Sequence, residues 1–442
     1  MNLIINFVIL IILCVTSLQI YTRNFNAKRL VTHPLAKRYK YRLNRNMYLL
    51  IFIVCTAPFF LGSFSLAKYG FYFIFLLYLI INNKISIKIE IIVTCYLLFY
   101  IWLLISLSYS TSIYNGIMLL IKYIFPLLFL WLGYSSIKDK YTLYYFLKSV
   151  NKSAMIYALL IGGVSAIFMP WIYYSTFGDI FLKYAGLADY FTSIFIIPFI
   201  LFWITQKKIY IMCALWLILS TILESVRTGL GGMFLVGLSF YFFKYKLKSL
   251  PYIALAISIF IGIIIFIPEV NQKMFGDKAG KINARDIIQK DALSLDNIQT
   301  SGRSHLWEIN LTKFYEPHPL IGSGLGTTID FMKKRAAKEH TIALLHNDYV
   351  QILCETGIIG IIFLVLFYLS IICKVFYYTW IIQSNTWIKI SGIMAISSII
   401  GIAFSMFFDN IVSHSMTSLI NPFIFIGFFL KFIDLQKLNN HQ

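Results

Sequence analysis

The segment 343–360, ALLHNDYVQILCETGIIG, carries ionisable side chains at the start of an otherwise apolar run. Ionisable groups at membrane depth mark a functional site by default, because burying them is expensive. His346 is a candidate general base, since imidazole exchanges a proton near neutral pH; the alternative is an interfacial histidine that caps a helix. Asp348 follows it, and Glu355 would lie about half a turn out of phase on a helix. We therefore expect Glu355 to make a structural contact between helices.

Two arginines stand in segments that could hold an anion. Arg227 lies in ESVRTGLGG (224–232), a short turn between apolar runs, where glycines allow backbone and ligand to approach closely. Arg303 opens RSHLW and shares one face of a predicted helix with Trp307. Its place in the first helical turn favours an anion, because the backbone N–H groups there are free. The alternative for Arg227 is a loop arginine that an external carboxylate or lipid headgroups hold in place. The alternative for Arg303 is a solvated charge on the loop.

These side chains need a membrane scaffold to hold them. The 442 residues are 59% hydrophobic and 13% charged, about half the charge of a typical soluble protein. Continuous apolar runs near the ~20 residues that cross a bilayer indicate helices rather than a barrel. We predict an all-α polytopic membrane protein. The predicted spans lie at roughly 2–21, 47–61, 66–82, 91–109, 117–134, 154–172, 190–206, 209–224, 229–243, 251–268, 348–373, 389–408 and 416–431.

The distribution of basic residues predicts the orientation of the bundle. With 22–46 on the cytoplasmic side, the cytoplasmic loops hold 23 lysines and arginines and the short external loops hold 3. This asymmetry follows the positive-inside rule, so the net charge of +20 needs no nucleic-acid partner. Residues 1–21 lack a basic start and a small-residue cleavage site, which predicts a retained helix with an external N-terminus. The six cysteines are scattered singly in apolar runs and imply neither disulfides nor zinc.

One external segment of about eighty residues divides the chain. We predict a transmembrane bundle at 1–268, a large extracytoplasmic loop domain at 269–347, and C-terminal spans with a short cytoplasmic tail at 348–442. The spacing of Trp307, Leu311 and Phe314 predicts an amphipathic helix in the loop, ended by prolines. A glycine turn, IGSGLG (321–326), and a basic helix at 331–340 follow. His346 is therefore expected where the folded loop rejoins the bundle at the outer surface.

The order of these motifs resembles the O-antigen ligase/polymerase superfamily. The similarity rests on Arg227 in a small-residue external turn, R-S-H-L-W in a long external loop, PLIGSGLG (319–326) and HNDYVQILCETGIIG (346–360), and it is most specific over 303–360. Members are bacterial membrane glycosyltransferases with a C-type helical bundle. The resemblance implies that fold, with about twelve spans and both termini in the cytoplasm, so the first of 12–13 spans here would be an addition.

The resemblance also implies a reaction and its residues. It implies glycan transfer from undecaprenyl diphosphate to a sugar hydroxyl at the outer face of the bacterial cytoplasmic membrane, with inversion at the anomeric carbon. His346 corresponds to the family's functional histidine, and Arg227 and Arg303 to its functional arginines. Arginines would bind the leaving diphosphate bidentately, and histidine would take the proton of the hydroxyl. Trp307 and Asn347 are predicted as further substrate contacts, with interfacial anchoring as the alternative for Trp307.

We expect no cofactor and no metal, because D-x-D does not occur and the external loop 62–68 has no acidic residue. The expected partners are an undecaprenyl-diphosphate-linked oligosaccharide donor, a glycan or lipid acceptor, membrane lipid, and a chain-length regulator or flippase. Polymerisation of O-antigen or capsule repeat units is the first expectation. Ligation of finished glycan to a lipid or protein acceptor is the second.

Two alternatives come from other classes. A transporter for lipid-linked sugars would place ionisable residues at mid-membrane depth. Lys122, near Pro126, is the clearest residue of that kind in the sequence. A structural or assembly membrane protein is the other alternative, for which the combination of Arg227, Arg303 and His346 would be a coincidence.

Overall fold

The computed structural model describes the helical bundle and the second half of the external loop. The described residues are 11, 15, 31–33, 36–41, 44–59, 65–159, 184–223, 226–266, 303–339, 343–382 and 384–440. The predicted first span, apart from two isolated positions, lies outside them, as do Glu224 and the first part of the external loop, 269–302.

The described part of the chain is almost entirely helical, which confirms the predicted all-α membrane fold. The helices are α1 (Arg45–Thr56), α2 (Ser65–Ile81), α3 (Ile91–Ser108), α4 (Ile113–Ser136), α5 (Lys140–Tyr157), α6 (Tyr184–Ile194), α7 (Ile196–Thr205), α8 (Ile209–Leu223), α9 (Arg227–Tyr245), α10 (Leu250–Phe266), α11 (Arg303–Asn310), α12 (Thr327–Glu339), α13 (Asp348–Phe376), α14 (Thr386–Phe408) and α15 (Ile420–Asn440). Two short strands, β1 (Val31–His33) and β2 (Ala36–Tyr41), pair antiparallel in the basic segment before α1. Hydropathy does not reveal this hairpin.

Six helical stretches of the described residues are long and apolar enough to cross a membrane. They are Ile91–Ser108, Ile113–Ser136, Gly186–Thr205, Arg227–Gly262, Asp348–Ile381 and Thr386–Phe408. Shorter apolar helices cover Arg45–Thr56, Gly70–Ile81 and Ile209–Leu223. The protein is therefore a multi-pass membrane protein. The number of thirteen spans stays a prediction.

Glycines bring the central helices into backbone contact. A Cβ atom on Gly427 of α15 would lie 2.2 Å from the carbonyl oxygen of Leu130 in α4. A Cβ atom on Gly401 of α14 would lie 3.1 Å from the carbonyl oxygen of Gly232 in α9. Small residues drive helix packing in membranes, where lipid provides no hydrophobic force between helices. These contacts fix α4, α9, α14 and α15 relative to one another.

Helix α13 is interrupted at Gly357, whose φ of 67° and ψ of −170° are not helical. The interruption leaves carbonyl groups of the preceding turn without helical partners. The glycine turn of the external loop supplies them: the N–H of Ser323 donates to Cys354 and the N–H of Gly324 to Glu355, each at 2.9 Å. The loop is thus hydrogen-bonded into the broken helix.

Gly357 makes room for the backbone of the external loop and not for a neighbouring helix. A Cβ atom there would lie 2.2 Å from the carbonyl oxygen of Leu320, so the glycine admits the loop backbone. Gly360, one turn on, does face a helix, since its Cβ would approach Trp102 of α3 to 3.4 Å. Periodicity could not separate these cases, because a glycine that breaks a helix and one that packs it look alike in sequence.

Replacing Gly322 by alanine is expected to lower the thermal stability of the purified protein clearly. Gly322 has a φ of +74°, and a Cβ atom would lie 2.4 Å from the backbone of Glu355 and Thr356. The left-handed backbone alone costs alanine roughly 1–2 kcal/mol, and the contact adds to it. Gly237→Ala is the control, because nothing lies within 4 Å of a Cβ there. Equal melting temperatures for the two variants would contradict the predicted locking of the loop.

Candidate active site

His346 lies in the short loop that leads from the external segment into α13. Its φ of 52° is in the left-handed region, which histidine adopts more readily than most non-glycine residues. The indole N–H of Trp307 donates to the carbonyl of Leu345 at 2.9 Å. On the other side, the Asn347 side chain accepts from the N–H of Val350 at 3.0 Å and caps α13. Hydrogen bonds made by the two neighbouring residues, Leu345 and Asn347, therefore fix the backbone position of His346.

The imidazole of His346 contacts a carboxylate that the sequence analysis did not identify. Its Nδ1 lies 2.9 Å from Oδ1 of Asp409, directly after the end of α14. A carboxylate only accepts hydrogen bonds, so Nδ1 carries the proton and donates it. Nε2 makes no hydrogen bond with any residue that the structure describes, and the side chain is 23% exposed. This arrangement leaves Nε2 with a lone pair that can accept a proton.

The charge of Asp409 is maintained by its surroundings. Burial alone would raise the pKa of this carboxyl, but hydrogen bonds from His346 and from the N–H of Asn410 outweigh it. Interaction with the imidazoles of His346 and His414, when these are protonated, adds to the effect, and the net pKa of Asp409 lies below the ordinary value. Asp409 is therefore ionised at neutral pH, when it can orient the imidazole and stabilise its protonated form.

The two predicted arginines converge next to this pair. Nη1 of Arg303, the first residue of α11, donates to the carbonyl of Phe408 at 2.5 Å, one residue before Asp409. The positive charge of Arg303 also acts on Arg227 at the start of α9. Two like charges at this range repel each other, and an anion between them would relieve the repulsion. Arg303 and His346 thus contact adjacent residues at the end of α14, and Arg227 lies within electrostatic range of Arg303.

The glycines after Arg227 have a different role from the one predicted. They lie inside the first turns of α9, not in an external turn, because the helix begins at Arg227. A Cβ atom on Gly229 would lie 2.8 Å from Cβ of Ala188 in α6, and one on Gly231 would lie 2.4 Å from the ring of Phe404 in α14. The glycines let α9 approach its neighbours, and this packing sets the position of Arg227.

Trp307 and Asn347, the two further predicted substrate contacts, are both buried in the protein. Trp307 is 5% exposed, and its ring packs edge-on against Phe407 with centroids 5.9 Å apart. It belongs to a small core with Leu306, Met332 and Leu345 that joins α11, α12 and the histidine loop. Asn347 is fully buried, and its Nδ2 has no hydrogen-bond partner among the described residues. Direct contact of either residue with substrate stays a prediction.

Glu355 has the structural role expected from its phase on the helix. It is 1% exposed, and its Oε1 accepts hydrogen bonds from the hydroxyl and the N–H of Thr328 at the start of α12. The Nε2 of Gln351 approaches the same oxygen to 3.5 Å. The glutamate therefore fastens the basic helix of the external loop to α13, away from the His346 imidazole.

Two further carboxylates lie around the site. Asp348 is 1% exposed, and its Oδ2 accepts from the N–H of Val412 at 3.1 Å. Asp189 of α6 is fully buried, and its two oxygens have no hydrogen-bond partner among the described residues. The charges of Asp409 and Asp348 both act on Asp189. Within the described residues, no group of three or more histidine, cysteine, aspartate or glutamate side chains is arranged to hold a metal ion.

The sequence contains only a weak signal for Asp409 and Asp189. Asp409 is the polar residue that ends a predicted span, in FFDN, and such residues are common at span ends. Asp189 interrupts an apolar run at its predicted external start. Asp409 and Asp189 can be recognised as residues near the site only from their neighbours in the folded chain, which lie many residues away in sequence.

Comparison with known proteins supports the same family as the motifs. A family model described as O-antigen ligase matches residues 212–365, from the middle of α8 through the interruption of α13. The search of curated proteins gave no match for this chain. The matched segment contains Arg227, Arg303 and His346, and members of the family are enzymes that act on lipid-linked glycans. Residues 212–365 thus match the O-antigen ligase family, which confirms the resemblance to the O-antigen ligase/polymerase superfamily.

Proposed function

We propose that the protein transfers a glycan from undecaprenyl diphosphate to a sugar hydroxyl at the outer face of the bacterial cytoplasmic membrane. We propose further that it polymerises the repeat units of an O-antigen or capsule. The observation that supports this most directly is that Arg303 and the carboxylate-bound His346 contact adjacent residues, Phe408 and Asp409, with Arg227 within electrostatic range of Arg303. Each of these groups matches a need of the reaction.

In the proposed reaction, the acceptor hydroxyl oxygen attacks the anomeric carbon of the donor sugar. The bond between that carbon and the diphosphate oxygen breaks, and undecaprenyl diphosphate leaves with the electron pair. The hydroxyl proton passes to Nε2 of His346, whose Nδ1 stays bonded to Asp409 at 2.9 Å. A single displacement of this kind inverts the anomeric configuration. General-base help of this type is worth roughly 10²–10⁴ in rate.

The arginines act on the leaving group in this scheme. The departing diphosphate gains one negative charge, which Arg227 and Arg303 stabilise through hydrogen bonds from their guanidinium N–H groups. Two guanidinium groups within electrostatic range of each other favour an anion at this position. A diphosphate with this support leaves without protonation, so the proposal requires neither a general acid nor a metal.

The description of the matched family favours a second candidate, a ligase. A ligase would use the same donor, arginines and histidine, and would transfer finished glycan to a lipid or protein acceptor. The two candidates differ only in the acceptor. Partners such as a chain-length regulator or flippase would accompany the polymerase and remain part of the proposal.

The products made by the purified protein test the proposal. With one lipid-linked repeat unit as sole substrate, a polymerase gives a ladder of lipid-linked products, with inverted linkages and undiminished yield in chelator. A single transfer, seen only when an acceptor is added, would indicate the ligase. No transfer from any lipid-diphosphate donor would contradict both. Activity lost in EDTA and restored by Mg²⁺ or Mn²⁺ would refute the metal-free scheme.

A further inference from the structure

Lys122 is a charged residue inside the bundle that the proposed reaction does not use. It is the tenth residue of the 24-residue helix α4, a segment apolar enough to cross a membrane. Its side chain is half-buried, and it makes no hydrogen bond or ion pair with any residue that the structure describes. A charged group in a membrane span is costly and is usually retained for binding or transport. Lys122 therefore requires a ligand or a function.

Lys333 of α12 lies close to Lys122. Its Nζ lies 2.9 Å from Oδ1 of Asn115, which precedes Lys122 by seven residues, two turns along one face of α4. A Cβ atom on Gly116 would lie 2.6 Å from the carbonyl of Leu325, so the start of α12 rests directly on α4. The positive charge of Lys333 acts on Lys122. Two ammonium groups thus share one region between α4 and α12.

The lysines and the arginines approach the reaction site from different helices. Arg227 and Arg303 come from α9 and α11, and Arg303 touches the residue before Asp409. Lys122 comes from α4, where the negative charge of Asp348 acts on it. Asp348 is two residues after His346 and is committed to the N–H of Val412. Residues 346–348 therefore lie between two positively charged positions, the arginines near Asp409 and the lysines between α4 and α12.

From this arrangement we infer that Lys122 and Lys333 form a second anion-binding position, which takes a negatively charged group of the acceptor. The inference rests on the proposed transfer reaction and adds the acceptor's chemical class to it. The group would be the diphosphate of a lipid-linked acceptor glycan or the carboxylate of an acidic sugar. Lysine ammonium groups suit this task. The anion of the acceptor gains no charge during the reaction, so it does not need the bidentate hydrogen bonds that an arginine gives to a leaving diphosphate.

Binding of inorganic pyrophosphate to the full-length protein in detergent tests the inference without any glycan. In the Arg227→Met/Arg303→Met double variant the arginine position is disabled, and the remaining pyrophosphate binding is assigned to the lysines. Adding Lys122→Met or Lys333→Gln to this variant is expected to raise the dissociation constant at least about tenfold, as expected for a lost charged hydrogen bond. Isothermal titration calorimetry measures the change.

Lys334→Gln, combined with Arg227→Met and Arg303→Met, is the matched control. Lys334 is the next residue on α12, its side chain is 77% exposed, and it pairs with Asp330 at 2.7 Å. It should leave pyrophosphate binding unchanged. Since Lys333 is exposed, its variant keeps the test valid if Lys122→Met fails to fold.

Competition distinguishes the two sources of the anion. In the Arg227→Met/Arg303→Met variant, methyl glucuronide that displaces pyrophosphate at comparable concentration indicates an acidic sugar, and failure to displace it indicates the diphosphate. An unchanged dissociation constant in both lysine variants, or no pyrophosphate binding after loss of the two arginines, would overturn the inference. Failure of the proposed function would look different, because transfer would then be absent from the wild-type protein whatever the lysines bind.

Discussion

Replacing His346 by alanine is expected to lower glycan transfer by roughly 10²–10⁴-fold, the range for a lost general base. The reason is that Nε2, which has no partner among the described residues, would no longer accept the hydroxyl proton. The lipid-linked donor should accumulate in cells, while the protein still inserts into the membrane. Initial rates with purified protein, together with its melting temperature, measure the effect on catalysis apart from folding.

His305→Ala is the matched control for that variant. His305 lies on α11 near the site, but its side chain is 68% exposed and lies 3.9 Å from Glu308. It should transfer glycan at the wild-type rate. A His346→Ala protein that keeps near wild-type activity would remove the histidine from the mechanism and would leave the arginines as a binding site only.

Asp409→Asn should give a rate between those of the wild-type protein and His346→Ala. The amide can no longer stabilise a protonated imidazole, and it can present its N–H to Nδ1 and so favour the wrong tautomer. Asp409 lies next to the Phe408 carbonyl that Arg303 touches. The test therefore includes pyrophosphate affinity, which an effect confined to the histidine leaves unchanged.

The residues at the site differ in how far the sequence could identify them. His346 and Arg227 could be identified because each is a polar group at the outer end of an apolar run, and Arg303 because it begins a predicted amphipathic helix in the external loop. The family resemblance implied that the three act together, but no local pattern shows their meeting, because it depends on α9, α11, α13 and α14 packing at angles that hydropathy does not encode. Asp409 was missed for the same reason: it bonds a residue 63 positions away.

The glycines show the same limit within the fold. The sequence indicated close approach at 227–232, with a ligand as the expected partner, since glycine removes the Cβ atom that would prevent it. The partners in the structure are other parts of the chain itself. At Gly231 the partner is a phenylalanine ring on α14, and at Gly357 it is the loop backbone at Leu320. Predicting these partners requires the tertiary arrangement, which governs both the position of Arg227 and the anchoring of the external loop.

Replacing Arg303 by lysine is expected to lower kcat by about 10²-fold, at the lower end of what one lost transition-state donor costs. Lysine keeps the positive charge but cannot bind a phosphate oxygen pair and the Phe408 carbonyl through one planar group. Because the diphosphate gains charge only as it leaves, the loss should fall on kcat more than on KM for the donor. Arg335→Lys is the control, since Arg335 is a partly buried arginine whose Nε pairs with Glu339 of the same helix at 2.7 Å, and the change should alter kcat less than twofold. A fully active Arg303→Lys protein would argue against bidentate contact with the leaving group. A protein with lower melting temperature but unchanged kcat would assign Arg303 to holding the end of α14, and the charge stabilisation would then depend on Arg227 alone.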